Sequence, residues 1–421
     1  MTQTQSEISM GTPAGAEVGA DELAALQAHV ATSLPRFLAD LERLSNIDCG
    51  SYSPGGVNAV ATWTADALAE LGATVERRPD PEGRFGDTVV ATFEGATGSG
   101  PRVLLIGHMD TVFPDGTAAA RPFRIDGDTA YGPGVTDMKG GLLAGVYAIE
   151  ALRKLLDGPE IGLPFERLVY VANPDEEVGS LSSTPHIRAI AAESDACFVL
   201  ECARANGDFV SARKGIADLR LSIHGRAAHA GVEPEKGRSA IVAGADMVKA
   251  IHALNGRWPG VTANVGVFNA GTRPNVVPEH AELQVDVRGT SRAALEAAIE
   301  AVQSIAASPT VPDVTAEVET MASWMPMEKL ERSGRLADQA IALAARLGFE
   351  TKDVATGGAS DANTTSGIGI PTIDGLGPVG GNDHSPAEYL DVASIVPRTT
   401  LLAALLLAVA RDPVVASWRA T

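Results

Sequence analysis

The chain has 421 residues, 45% of them apolar, and a formal charge of −20 at neutral pH. That length is more than a single hydrophobic core usually serves, which predicts two domains of a globular α/β protein. The acidic balance argues against nucleic acid or an anionic membrane as a partner, since both recruit basic surfaces.

In chain order, residues 1–20 read as a disordered tail rich in Thr, Ser, Gly and Glu. They hold no Lys or Arg and no apolar run, so no secretory signal is expected there. No uncharged apolar stretch reaches the roughly 18 residues of a membrane helix. Cys49, Cys197 and Cys202 are too few and scattered for a disulfide framework, and a cytoplasmic location is expected. Helical spacing follows over 21–45 and 56–72, broken by Ser53-Pro54-Gly55-Gly56. Thr88–Phe93, Val103–Ile106, Leu168–Ala172 and Cys197–Leu200 read as strands, and a helix starts near Lys139. This alternation predicts a mixed, mostly parallel sheet sandwiched by helices.

The pattern then changes. Ile216–His224, Ala263–Phe268, Ala281–Arg288 and Val314–Thr320 read as strands, with helices over Ser239–Leu254 and Arg292–Ala307. That order, βαββαβ, is the ferredoxin-like split unit. It predicts an inserted domain over 216–321, with the main domain formed by 21–215 and 322–421. A helix from near Met327 and another over Val392–Ala410 would complete the main domain.

Several acidic and imidazole side chains sit where apolar runs give way to small or polar residues. In an α/β sheet that is the carboxyl end of a strand, where catalytic groups collect. His108 is followed two residues later by Asp110, which can accept the second imidazole N–H and fix the tautomer. Asp137 can cap the helix that follows it or bridge two metals with its two oxygens. Glu176 and Glu177 are adjacent carboxylates at a strand mouth, which repel unless a metal neutralises one of them. Glu201 ends the Cys197–Leu200 run, and His384 lies in a Gly-Gly-Asn-Asp-His-Ser loop. Imidazoles with several carboxylates form a zinc ligand set, and a further carboxylate beside it suggests hydrolysis.

Three stretches carry a more specific signal: Gly107-His108-Met109-Asp110-Thr111, Tyr131-Gly132-Pro133-Gly134 leading to Asp137-Met138-Lys139-Gly140, and Asp175-Glu176-Glu177-Val178-Gly179-Ser180. With them the chain resembles the M20 metallopeptidase family, most closely its carboxypeptidase G2 (glutamate carboxypeptidase) branch, from about residue 25 onward. The resemblance implies two Zn2+ per chain, with Co2+ or Mn2+ as substitutes. His108, Asp137 and Glu201 would hold one zinc, and Asp137, Glu177 and His384 the other, roughly 3.5–4 Å apart. It implies a cis peptide just after Asp137, Glu176 as general base, and a homodimer formed through the inserted domain. His229 would then reach the partner's site as an oxyanion donor.

The implied reaction is amide cleavage that releases a C-terminal amino acid from a peptide or N-acyl amino acid. The alternative is an N-acyl-amino-acid amidohydrolase (aminoacylase) or a deacylase of an acylated diamine. A metal-free binding protein on the same scaffold would have lost some of these ligands, and none is lost. Arg213, Lys214, Arg273, Asn275, Arg288 and the turn holding Gly358 and Ser360 are candidates to hold a substrate carboxylate. Glutamate-specific members place a basic residue near the exit from the inserted domain. Here stands Ser323-Trp324-Met325-Pro326-Met327, which suits an apolar acyl group or side chain.

Overall fold

A computed structural model describes residues 17–95, 98–156 and 162–418. Most of the expected 1–20 tail thus lies outside the described residues; Val18 is buried, and its carbonyl accepts from the Arg346 guanidinium. The chain divides into two compact units. The larger takes the residues up to Val210, Glu331–Asp353 and those from Ile370 onward; the smaller takes Ser211–Leu330 and Val354–Gly369. The sequence predicts 211–215, 322–330 and 354–369 in the main domain, whereas all three fall in the smaller unit. In the structure Asn363 donates its side-chain amide to the carbonyls of Lys214 and Met325, which anchors 354–369 in the smaller unit.

The larger unit opens with helices α1 (Ala20–Ser45) and α2 (Pro54–Glu70), the second starting on the proline, whose missing N–H costs nothing in a first turn. Strands β1 (Thr74–Arg78), β2 (Thr88–Glu94), β3 (Arg102–His108), β4 (Arg167–Asn173) and β5 (Ala196–Val199) follow, with helix α3 (Gly140–Leu155) between β3 and β4. The sheet runs β1-β2-β4-β3-β5 and closes with the short strand Thr372–Ile373. β1, β2 and β4 pair antiparallel; β4, β3, β5 and Thr372–Ile373 pair parallel. The parallel strands are almost wholly buried, which is why their apolar residues run on without alternation. β1 was not expected, because its exposed Thr-Val-Glu-Arg-Arg carries no such run.

In the smaller unit, β6 (Gly215–His224), α4 (Ala240–His252), β7 (Thr262–Ala270), β8 (His280–Gly289), α5 (Arg292–Ala306) and β9 (Thr315–Trp324) follow one another. Its sheet is antiparallel, in the order β7-β8-β6-β9. Ser239 and Ser291 cap the two helices by accepting the N–H groups of Val242 and Ala294. Alternate residues of β6, including Leu219, Leu221 and Ile223, are buried with Met247, Leu295 and Val302 of the helices.

The chain completes the larger unit with α6 (Glu331–Arg346) and α7 (Val392–Arg411). α6 starts four residues later than expected, because the Met327 backbone pairs with Arg213 instead. α7 is long and apolar enough to cross a membrane, but most of its apolar stretch is buried within this unit against α1 and α3. Arg398, buried in the same helix, donates to the carbonyls of Gly207, Gly375 and Gly377.

Candidate metal centre

Because β4, β3 and β5 are parallel neighbours, their carboxyl ends lie side by side. His108 is the last residue of β3, Glu176 and Glu177 follow the end of β4, and Glu201 follows β5. Residues nearly a hundred positions apart thus meet because of strand order. Asp137 enters from the loop before α3, where it departs from helical geometry and its peptide to Met138 is cis, as the resemblance implies. His384 lies on a loop with φ +59°, a left-handed conformation uncommon for a non-glycine residue.

Asp137 is the hub. Its Oδ1 lies 3.1 Å from His108 Nε2, and its Oδ2 lies 3.1 Å from His384 Nε2. His384 Nε2 is also 3.0 Å from Glu177 Oε2, and His108 Nε2 is 3.7 Å from Glu201 Oε1. Among the described residues, the ion pairs of Asp137 and Glu177 run to imidazoles and to no lysine or arginine. Burial works against charge on His108, yet the Asp110 and Asp137 carboxylates outweigh it and hold the imidazole pKa well above its ordinary value. Asp137 and Glu177 raise His384 to about 10. Burial works against charge on Asp137 too, but the two imidazoles pull its carboxyl below the ordinary range. Burial raises Glu177.

Donor atoms each about 2.0–2.1 Å from a tetrahedral zinc stand about 3.3 Å apart. The spacings of 3.0 to 3.7 Å around Asp137 and His108 fit that geometry. His108, Asp137 and Glu177 bring one donor atom each within 4.8 Å of one another, and so do His108, Glu176 and Glu201. The second cluster places Glu176 within the same compass as the metal-type donors, although it was not read as a ligand.

The side chains behind this layer hold it in place. Asp110 Oδ1 is 3.3 Å from His108 Nδ1, and the two Asp110 oxygens also accept the N–H groups of Glu176 and Glu177 at 3.2 Å. Ser51 donates its hydroxyl to Asp110 at 2.6 Å. The buried Asp175, raised by desolvation, accepts the Ser183 hydroxyl and the N–H groups of Ser182 and Ser183. Ser51 carries no signal in the sequence, and Asp175 stands there only as the first residue of the Asp175–Ser180 stretch, without a role of its own.

Residues 104–408 match peptidase family M20/M25/M40. The chain belongs to that family. It is 32% identical over 380 residues to carboxypeptidase G2 of Pseudomonas sp. (strain RS-16), covering 89% of each chain. It is 27% identical over 357 residues to succinyl-diaminopimelate desuccinylase of Variovorax paradoxus, covering 78% of this chain and 88% of the relative. Among solved structures, aminopeptidase PepT from Bacillus cereus superposes with a TM-score of 0.75 at 23% identity, covering 90% of this chain and 99% of that one. This M20 chain is accordingly a hydrolase of the metallopeptidase and amidohydrolase type, with carboxypeptidase and deacylase relatives.

The remaining candidates lie in the smaller unit. His229 is exposed, and its Nδ1 accepts the Gly231 N–H at 3.2 Å, which leaves Nε2 to carry the proton in the neutral ring. Arg213 is buried and donates to the Gly358 carbonyl. Arg288 grips Asp286 at 3.0 and 3.1 Å and donates to the Gly357 carbonyl. Ser360 caps the short helix Asp361–Ser366 by accepting the Ala362 N–H. The Lys214 N–H bonds the Thr356 carbonyl, while Arg273 and Asn275 are exposed. In the Ser323–Met327 segment, Pro326 and Met327 are buried, and Trp324 and Met325 are half-buried.

Proposed function

We propose that this M20 chain is a di-zinc amidohydrolase that releases a C-terminal amino acid from a peptide or N-acyl amino acid. The observation that carries the reading is Asp137, whose two oxygens each face a different imidazole at 3.1 Å. That is the disposition of a bridging carboxylate. His108 and Glu201 would complete one ligand set, and Glu177 and His384 the other. Bound zinc supplies a Lewis acid for the amide carbonyl and lowers the pKa of water towards neutrality.

The chain's own groups do the proton work. Asp110 holds His108 in one tautomer and fixes the turn that presents Glu176. Glu176 takes a proton from water as its oxygen bonds to the carbonyl carbon, then gives that proton to the nitrogen as the C–N bond breaks. The products are a carboxylic acid and an amine. The negative charge on the former carbonyl oxygen needs a donor, and the Nε2–H of His229 from a second copy of the chain would serve in a homodimer.

The apolar Ser323–Met327 segment, where glutamate-specific members carry a basic residue, favours an apolar acyl group or side chain over a second carboxylate. The desuccinylase relative favours a second reading, removal of an acyl group from an acylated diamine, with the same ligands. A panel of N-acyl amino acids, dipeptides and acylated diamines, assayed with zinc-loaded and chelator-treated protein, tests both readings. Release of an amino acid that chelation abolishes and zinc restores is expected. Hydrolysis confined to acylated diamines would transfer the assignment to the second reading, and chelator-resistant hydrolysis would overturn both.

A further inference from the structure

Glu388 lies outside the ligand set yet grips it. It is 1% exposed, and among the described residues no lysine or arginine bonds to it. Its Oε2 accepts the Gly134 N–H at 2.9 Å, and its Oε1 accepts those of Thr136 and Asp137 at 3.0 and 3.1 Å. A buried carboxylate without such donors would be costly, and three N–H groups satisfy this one. The same segment is held from its carbonyl side by the buried Lys139, whose ammonium donates to Pro133 at 3.2 Å and to Ile47 at 3.4 Å. Residues 133–139 are thus pinned by a buried carboxyl group on their N–H groups and by the buried Lys139 side chain on a carbonyl.

Glu388 also belongs to the loop that carries His384. That loop is drawn tight by bonds from Asn382 Nδ2 to the Ala387 carbonyl, from the Ser385 N–H to Asn382, and from the Glu388 N–H to Ser385, each 3.2 Å. One side chain therefore ties together two segments about 250 residues apart, one bearing Asp137 and the other His384. The opposite flank has a different brace. His108 is backed by Asp110 and Ser51, which make no bond to Glu388.

We infer that Glu388 is a positioning residue that sets the affinity of the metal on the His384 side, by holding Asp137 and His384 in register. The inference rests on the two-metal reading above. It implies that losing Glu388 weakens one metal-binding step more than the other, since the His108 side keeps its own support.

Zinc binding by the metal-stripped full chain, measured by equilibrium dialysis in zinc buffers with metal analysis, tests this in wild type, Glu388→Gln and Glu388→Ala. Glutamine keeps the volume but puts an amide donor against at least one backbone N–H. The wild type is expected to bind two zincs. In Glu388→Gln one of the two steps should lose about 10- to 100-fold in affinity, and the other should move less. The metal-free Glu388→Gln protein should still unfold cooperatively, with a melting temperature roughly a few degrees below wild type, which separates a positioning effect from general loss of structure. Two unchanged steps in either folded variant would overturn the role, and equal weakening of both would overturn its one-sidedness. If Glu388→Ala does not fold, the Glu388→Gln isotherm decides alone. A wild type that binds fewer than two zincs would defeat the two-metal reading before any substitution is made, and this inference with it.

Discussion

The two units treat their charged residues in opposite ways. In the larger unit, Asp137 and Glu177 converge on imidazoles, with no lysine or arginine paired to them among the described residues. In the smaller unit, the Arg288 fork is occupied by Asp286 and the Gly357 carbonyl, and Arg213 bonds to Gly358. Buried like charges that lack cations are stable only if protons or metals compensate them, whereas an arginine already bonded to its neighbours is part of the fold. Residue type alone does not tell these cases apart. The bonding state of the side chain does.

The largest expected effect lies in the larger unit. Glu176→Gln should keep both metals and the fold while turnover falls about 10²- to 10⁴-fold, as loss of a general base implies. Turnover close to wild type with full metal content would remove Glu176 from the mechanism. His229→Ala should lower turnover about 10²- to 10³-fold with zinc content unchanged, the cost of losing an oxyanion donor. Loss of zinc instead would turn His229 from a donor into a structural support.

A pH prediction sharpens the comparison further. Asp137 and Glu177 hold His384 at about 10 in the metal-free protein, so at neutral pH the ring is protonated and zinc must displace that proton. The apparent zinc affinity should therefore rise with pH from neutrality towards about 10, and loading should release protons. Calorimetry in two buffers of different ionisation enthalpy reads that release directly; zinc uptake without it would show that His384 is not displaced. In the smaller unit the expected effect is slight. Arg288→Ala should lower stability by about 1 kcal/mol, typical of a partly exposed ion pair, and should change KM little, because Asp286 already holds the guanidinium. A many-fold rise in KM with unchanged unfolding temperature would return Arg288 to the substrate site.

The parts of this arrangement that were legible in the sequence share a physical cause. His108 and Glu201 close uninterrupted apolar runs, and Glu176 and Glu177 follow a third within a few residues, which is what buried parallel strands require, so the strand ends could be located before any pairing was known. The βαββαβ order of the smaller unit was legible for a related reason, since its half-buried strands alternate. Glu388 was not legible. It follows Ser385-Pro386-Ala387 with no apolar run beside it, and its partners lie about 250 residues earlier. Ser51 was hidden in the same way, 59 positions from Asp110. The engagement of Arg288 left a weak trace, because Asp286 stands two residues before it on the same face of β8 and an i, i+2 pair could have been suspected. β1 was missed because its exposed, charged residues resemble a loop.

The most direct test of the account is the position and number of zinc ions bound to the wild-type chain, read from anomalous diffraction at the zinc edge of zinc-loaded crystals. The account predicts two peaks flanking the Asp137 carboxylate, one on the His108 side and one on the His384 side. A single peak, or peaks that leave Asp137 without a metal on each oxygen, would contradict it.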